Sequence, residues 1–95
     1  MLVLYNHPED PAAFDKHYDE IHIPLTKQMP GLIRYTVSRN LSRKAPHYLV
    51  AELDWEDRDA LRAAGASEAG AAAAADVANF ATGGVSTLIY EVAEV

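Results

Sequence analysis

The chain has 95 residues, a formal charge of −6, 49% hydrophobic residues and no cysteine. That length sets one domain, expected over residues 1–95, whose core buries roughly two-thirds of the unfolded surface. The acidic balance excludes a basic nucleic-acid footprint and an anionic membrane surface as partners, and the lack of cysteine removes disulfide and thiolate chemistry and fits a reducing cytoplasm.

Met1-Leu2-Val3-Leu4-Tyr5 has no preceding Lys or Arg and breaks at Asn6-His7-Pro8. It is too short for a signal segment or a membrane span and reads as a first strand covered on both faces. Asp10 is the expected N-cap of a first helix, with Pro11 at its first position. Phe14, Tyr18, Ile21 and Leu25 then form one apolar stripe at helical spacing. Pro24 lacks an N–H and clashes with the carbonyl of Glu20, so the helix should distort just after His22 or run on as a loose turn to about residue 28.

Pro30-Gly31 turns into a strand over 32–39, with Ile33, Tyr35 and Val37 on one face. Residues 40–46, with Arg43 and Lys44, form a polar loop. A second strand of the hairpin follows over 47–55, with Leu49, Ala51, Leu53 and Trp55 on one face. Residues 56–64 make a short helix ended by Gly65. Ser67 caps another piece running to about Phe80, anchored by Val77 and Phe80. Its alanine run, 71–75, is strongly helix-forming and reads equally as tight helix packing or compositional bias. Gly83-Gly84 precedes a last strand over 85–92.

The order βαββαβ predicts an α+β, ferredoxin-like fold with a four-stranded antiparallel sheet. Helices cover one face of such a sheet. The apolar residues on its other face call for a partner, and the cheapest is a second copy related by a two-fold axis. The expected assembly is a homodimeric α/β barrel, each protomer keeping a pocket between sheet and first helix.

His17-Tyr18-Asp19-Glu20-Ile21-His22 concentrates ionisable aromatic side chains on that helix. His17 and His22 are about 140° apart on a regular helix and cannot share one metal ion, so no metal site is expected. His22 stands one turn from Tyr18, a pair suited to general acid/base work, although a capping role for His22 explains the same residue. Tyr35 is core or pocket lining, and its hydroxyl needs a partner if buried. Phe14, Ile21, Leu25 and Tyr35 are the expected ligand-contacting set. No phosphate loop, nucleophile elbow or Cys/His zinc spacing occurs.

The run Phe14-x-x-His17-Tyr18-x-x-x-His22-x-Pro24-Leu25, followed by Pro30-Gly31-Leu32 and the Tyr35 strand, resembles the EthD family, named for ethyl tert-butyl ether degradation. Leu53-Asp54-Trp55-Glu56, Ser67-Glu68 and Tyr90-Glu91-Val92 extend the likeness along most of the chain. The resemblance implies a dimeric α/β barrel, in a superfamily with cofactor-free monooxygenases, polyketide cyclases, muconolactone isomerases and haem-degrading monooxygenases. It carries over His17, Tyr18, His22, Pro24 and Gly31.

Two functions follow as expectations. One is a cofactor-free, monooxygenase-like oxidoreductase or a cyclase/isomerase, acting on a small aromatic or polyketide-like molecule in degradation or secondary metabolism. His22, Tyr18 and His17 are its catalytic candidates. The other is a non-catalytic dimer that holds a hydrophobic metabolite for a partner oxygenase. A fold of this kind does not choose between them.

Overall fold

The computed structural model describes residues 1–42 and 44–95; Arg43, expected in the polar loop, lies outside the described residues. The elements are β1 (Leu2–Tyr5), α1 (Pro11–His17), a π-helical turn (Tyr18–His22), α2 (Ile23–Thr26), β2 (Arg34–Arg39), β3 (Leu49–Asp54), α3 (Arg58–Ala66), α4 (Glu68–Asp76), a 3₁₀ turn (Val77–Asn79) and β4 (Val85–Leu88). The four strands pair antiparallel in the order β2-β3-β1-β4. This is the ferredoxin-like arrangement. No described helix is long and apolar enough to cross a membrane.

Alternation along the strands sorts their faces. Leu49, Ala51 and Leu53 of β3 are buried toward the helices, while Val50, Glu52 and Asp54 turn to the other side. Register places Leu4 beside Val50 and Leu2 beside Leu88 on that uncovered side. The core is aromatic. Tyr5, Phe14, Tyr18 and Phe80 pack with neighbouring ring centroids 5.1–5.7 Å apart.

Local signals place the helix ends. Asp10 accepts from the Ala13 amide at 3.1 Å with Pro11 at the first position of α1, and Ser67 accepts from the Gly70 amide at 3.0 Å at the head of α4. Gly31 has φ +73°, in the left-handed region, at the turn into β2. Gly70 lies so close to α3 that a β-carbon there would run into the Ala64 carbonyl oxygen.

Three elements differ from the sequence expectation. The helix α3 passes through Gly65 and stops at Ala66, because Ser67 takes an extended conformation and its hydroxyl donates to the Ala64 carbonyl. The last strand stops at Leu88, which pairs with Leu2 of β1. Ile89, Tyr90 and Val92 are exposed.

The third difference lies on the first helix. It neither breaks nor loosens at Pro24 but widens before it. The Ile23 amide donates to the Tyr18 carbonyl, five residues back, and Pro24 then sits within the first two positions of α2, where its missing N–H leaves no gap. The buried set becomes Phe14, Tyr18, His22 and Thr26, four apart at each step. On a regular α-helix that spacing drifts by ~40° per step; the wide turn takes up part of the drift. Ile21, expected on the inner stripe, is 45% exposed.

Candidate functional site

Between the sheet and the helices lies a cavity of about 390 Å³. The sheet contributes Val3, Tyr5, Tyr35, Ala51, Leu53, Val85 and Thr87; the first helix contributes Tyr18, His22 and Thr26. Its far wall is built of Leu61 and the small residues Gly65, Gly70, Ala73 and Ala74 on α3 and α4. The alanine run therefore leaves room for a ligand. None of the described lining residues is Lys, Arg, Asp or Glu.

The polar groups come in two sets. In the first, the hydroxyls of Tyr18 and Tyr35 are hydrogen-bonded at 2.7 Å. Burial pushes Tyr18 well above the ordinary phenol range, and its bond to Tyr35 adds to the shift. Burial raises Tyr35 as well, but there the bond from Tyr18 and the nearness of Thr26 work against it. Tyr35 is thus the easier of the two to polarise. The Thr26 hydroxyl, buried beside Tyr35, completes no hydrogen bond with any described group.

The second set centres on Asp76, at the end of α4 and 7% exposed. His22 Nδ1 stands 3.0 Å from Asp76 Oδ2, and His17 Nε2 stands 2.8 Å from Oδ1. The Asn79 amide donates to Oδ1 at 3.0 Å. Burial alone would raise the Asp76 carboxyl, but the bonds from Asn79, His17 and His22 outweigh it and hold the group below the usual carboxylate range. His22, 5% exposed, is lowered by burial; Asp76 opposes that shift and His17 adds to it. Both imidazoles also pack on Phe80, with centroids 5.3 Å from His17 and 4.7 Å from His22.

The expected site residues divide. His22, Tyr18 and Tyr35 line the cavity. His17 sits behind it on Asp76, with 23% of its side chain exposed. Phe14 is fully packed in the core, Leu25 is half-buried, Ile21 faces outward, and none of the three lines the cavity. The π turn is the reason, since it hands the inner positions to His22 and Thr26. Tyr18 bonds to Tyr35 and not to His22, whose ring it meets in a tilted contact at 5.2 Å. The two histidines, too far apart on a regular helix, share one carboxylate because the helix is not regular. Among the described residues no group of three or more His, Cys, Asp or Glu is arranged to hold a metal ion.

Sequence reasoning missed Asp76 and Thr26. Asp76 did leave a trace: it is the one ionisable residue between Glu68 and Phe80, in an otherwise alanine-rich helix and four residues before an aromatic anchor. Thr26 left none.

Comparison with known proteins agrees with this architecture. The chain is 46% identical over 94 residues to an uncharacterised 11.0 kDa protein of the thcB–thcC intergenic region of Rhodococcus erythropolis, covering 96% of this chain and 91% of that one. The crystal structure of an ethyl tert-butyl ether degradation family protein from Bacillus halodurans superposes with a TM-score of 0.91 at 34% identity, over 97% of this chain and 95% of that one. A dimeric ferredoxin-like protein of unknown function from Jannaschia superposes at 0.71 with 20% identity, over 96% and 95% of the two chains, and shares the fold. SnoaB of Streptomyces nogalater, described as a cofactor-independent oxygenase, does so at 0.60 with 24% identity, over 98% and 93%. The EthD domain model matches residues 6–84, the span that runs from the end of β1 through the histidine helix and Asp76 to the turn before β4, and the chain belongs to the EthD family.

Proposed function

We propose that the cavity binds a small, uncharged, largely apolar molecule bearing an acidic O–H or C–H bond, and that His22 moves that proton. One observation carries the reading: a buried imidazole lines an apolar cavity while a carboxylate is bonded to its Nδ1. This arrangement suits a general base that works near neutral pH. Among the described residues the lining carries no Lys, Arg, Asp or Glu side chain, which disfavours ligands that enter as anions. Tyr35, backed by Tyr18, is placed to donate to the oxygen on which charge develops. His17 supports Asp76 from outside the cavity.

The reaction class is oxidoreductase-like or cyclase/isomerase-like, on an aromatic or polyketide-like substrate. In the oxygenase version the deprotonated substrate gives electrons to dioxygen from solution, with no bound cofactor; in the cyclase or isomerase version it reprotonates or adds within itself. The fold shared with SnoaB supports the first version. A degradative or biosynthetic setting in the cytoplasm, and one domain over residues 1–95, belong to the same proposal.

The test is a thermal-shift comparison of 2-naphthol, 2-naphthoate and an anthrone, followed by oxygen uptake on the anthrone. A ligand at 100 times its Kd adds about 2.7 kcal/mol. Stabilisation by the neutral compounds and not by the carboxylate is expected. His22→Ala should keep ligand binding within a small factor and lose turnover. Binding by the parent protein without turnover of any ligand would leave the accessory, ligand-holding role in place of catalysis.

We infer also that two copies pair through the uncovered sheet face, where Leu2, Leu4, Val50 and Leu88 lie together. The dimeric Jannaschia protein supports this reading. Light scattering should give the mass of two chains, and a mass of one chain would overturn it.

A further inference from the structure

We propose that Asp76 is a positioning residue that holds His22 as its Nδ1–H tautomer, so that the lone pair on Nε2 is the group presented to the cavity. The inference rests on the proton-transfer reading above and names the atom that takes the proton.

The argument is one of donors and acceptors. Three nitrogens converge on the Asp76 carboxylate: His17 Nε2 and Asn79 Nδ2 on Oδ1, and His22 Nδ1 on Oδ2. The Asn79 amide nitrogen is always a donor, and an ionised carboxylate only accepts. Each imidazole nitrogen that faces the carboxylate must therefore carry the hydrogen. A neutral imidazole has one N–H. In His22 that hydrogen is committed to Asp76, and Nε2 is left as an acceptor on the opposite side of the ring. The alternative places a proton on Oδ2 and transfers the N–H of His22 to Nε2. It protonates the stronger acid of the pair, beside two donors that stabilise its anion.

His17 and His22 use the carboxylate in opposite senses. His17 presents Nε2 to it and keeps Nδ1 on its other edge; His22 presents Nδ1 and keeps Nε2. Only His22 lines the cavity. The other titratable side chains of the described lining are Tyr18 of the π turn and Tyr5 and Tyr35 of the sheet; none of them is charged near neutral pH, so no charged side chain there competes with Asp76 for the imidazole. A tautomer held this way by a carboxylate fixes both the ring's orientation and the nitrogen that reacts.

The experiment is a long-range proton–nitrogen correlation spectrum of the histidine-¹⁵N-labelled full chain, without ligand, above neutral pH. Single His7→Gln and His47→Gln variants assign the remaining ring signals. Expected is a pyrrole-type Nδ1 and a pyridine-type Nε2 for His22. In Asp76→Asn the new amide keeps its oxygen toward Asn79 and turns its NH₂ to His22, so the Nδ1–H signature should be lost. In His17→Gln, which still donates to Asp76, it should persist. A pyrrole-type Nε2 in the parent protein, or an unchanged His22 in Asp76→Asn, would overturn the proposal. Should Asp76→Asn not fold, the tautomer of the parent protein decides alone. Because no ligand is present, this result is independent of the ligand and turnover tests of the proton-transfer reading.

Discussion

The hydroxyls of Tyr18 and Tyr35 meet at 2.7 Å across the join between the first helix and the sheet. Tyr18 has no exposed surface, whereas Tyr35 is only half-buried. Removing either hydroxyl therefore strands its partner to a different degree. Tyr35→Phe leaves a fully buried phenol without its partner, at a cost of about 1–3 kcal/mol. Tyr18→Phe leaves Tyr35 beside Thr26 and the cavity, at a cost of about 0.5–1.5 kcal/mol. Urea unfolding should show that order; a reversed order would mean that the pair is not organised as described.

The titration of the buried groups predicts a stability maximum between two edges. On the acid side, His22 and Asp76 are both lowered in the fold. The unfolded chain then binds more protons, so stability is complete above pH ~6.5 and declines as the pH falls, first through His22 and then, below ~4, through Asp76. On the alkaline side, burial raises Tyr5, Tyr18 and Tyr35. Their contribution is complete below pH ~10 and is lost above it. Denaturant midpoints measured across this range check both edges. Tyrosinate absorbance above pH 10 should include a step that coincides with loss of far-ultraviolet dichroism.

The small side chains of α4 set the cavity's size. Ala74→Leu adds a branched side chain to its wall at a position that is exposed. We expect a folded protein, with stability within about 1 kcal/mol of the parent, and at least a tenfold loss of affinity for any ligand that the parent binds. Thermal-shift titrations measure both quantities. Unchanged affinity would place the ligand elsewhere.

The π turn makes a prediction opposite to the simple helical stripe. Phe14→Ala should cost about 3–5 kcal/mol, as for a buried aromatic, while Ile21→Ala should stay within about 0.5 kcal/mol if the protomer alone decides. Thermal or urea melts of the Ile21 variant separate the registers, with Phe14→Ala as the buried reference. A large loss for Ile21→Ala would restore the regular helix, with Ile21 turned inward.

Much of the fold was legible because its determinants are local. The N-caps Asp10 and Ser67, Pro11 at a helix start, the Pro30-Gly31 turn and the alternation of Leu49, Ala51 and Leu53 each act within a few residues of themselves. Together they determine which segments are strands and helices and which strand face is apolar, and the βαββαβ order then leaves few ways to close the sheet. The histidine helix was legible as chemistry for the same reason, since its ionisable residues crowd six positions of one chain segment.

What packing alone decided is the site's second half. His22 and Asp76 are 54 positions apart, and no periodicity relates them; they meet because α4 is laid across the first helix close enough for one carboxylate to reach both histidines. The sequence names Pro24 as a disturbance, but whether the helix breaks or widens depends on which arrangement buries the best set of side chains. Widening places His22 and Thr26 inward beside Phe14 and Tyr18, and turns Ile21 out. Local sequence determines the elements, because capping, turns and periodicity act over a few residues. The tertiary structure determines the site, because burial and hydrogen-bond partnership are properties of surfaces that the chain brings together only when it folds.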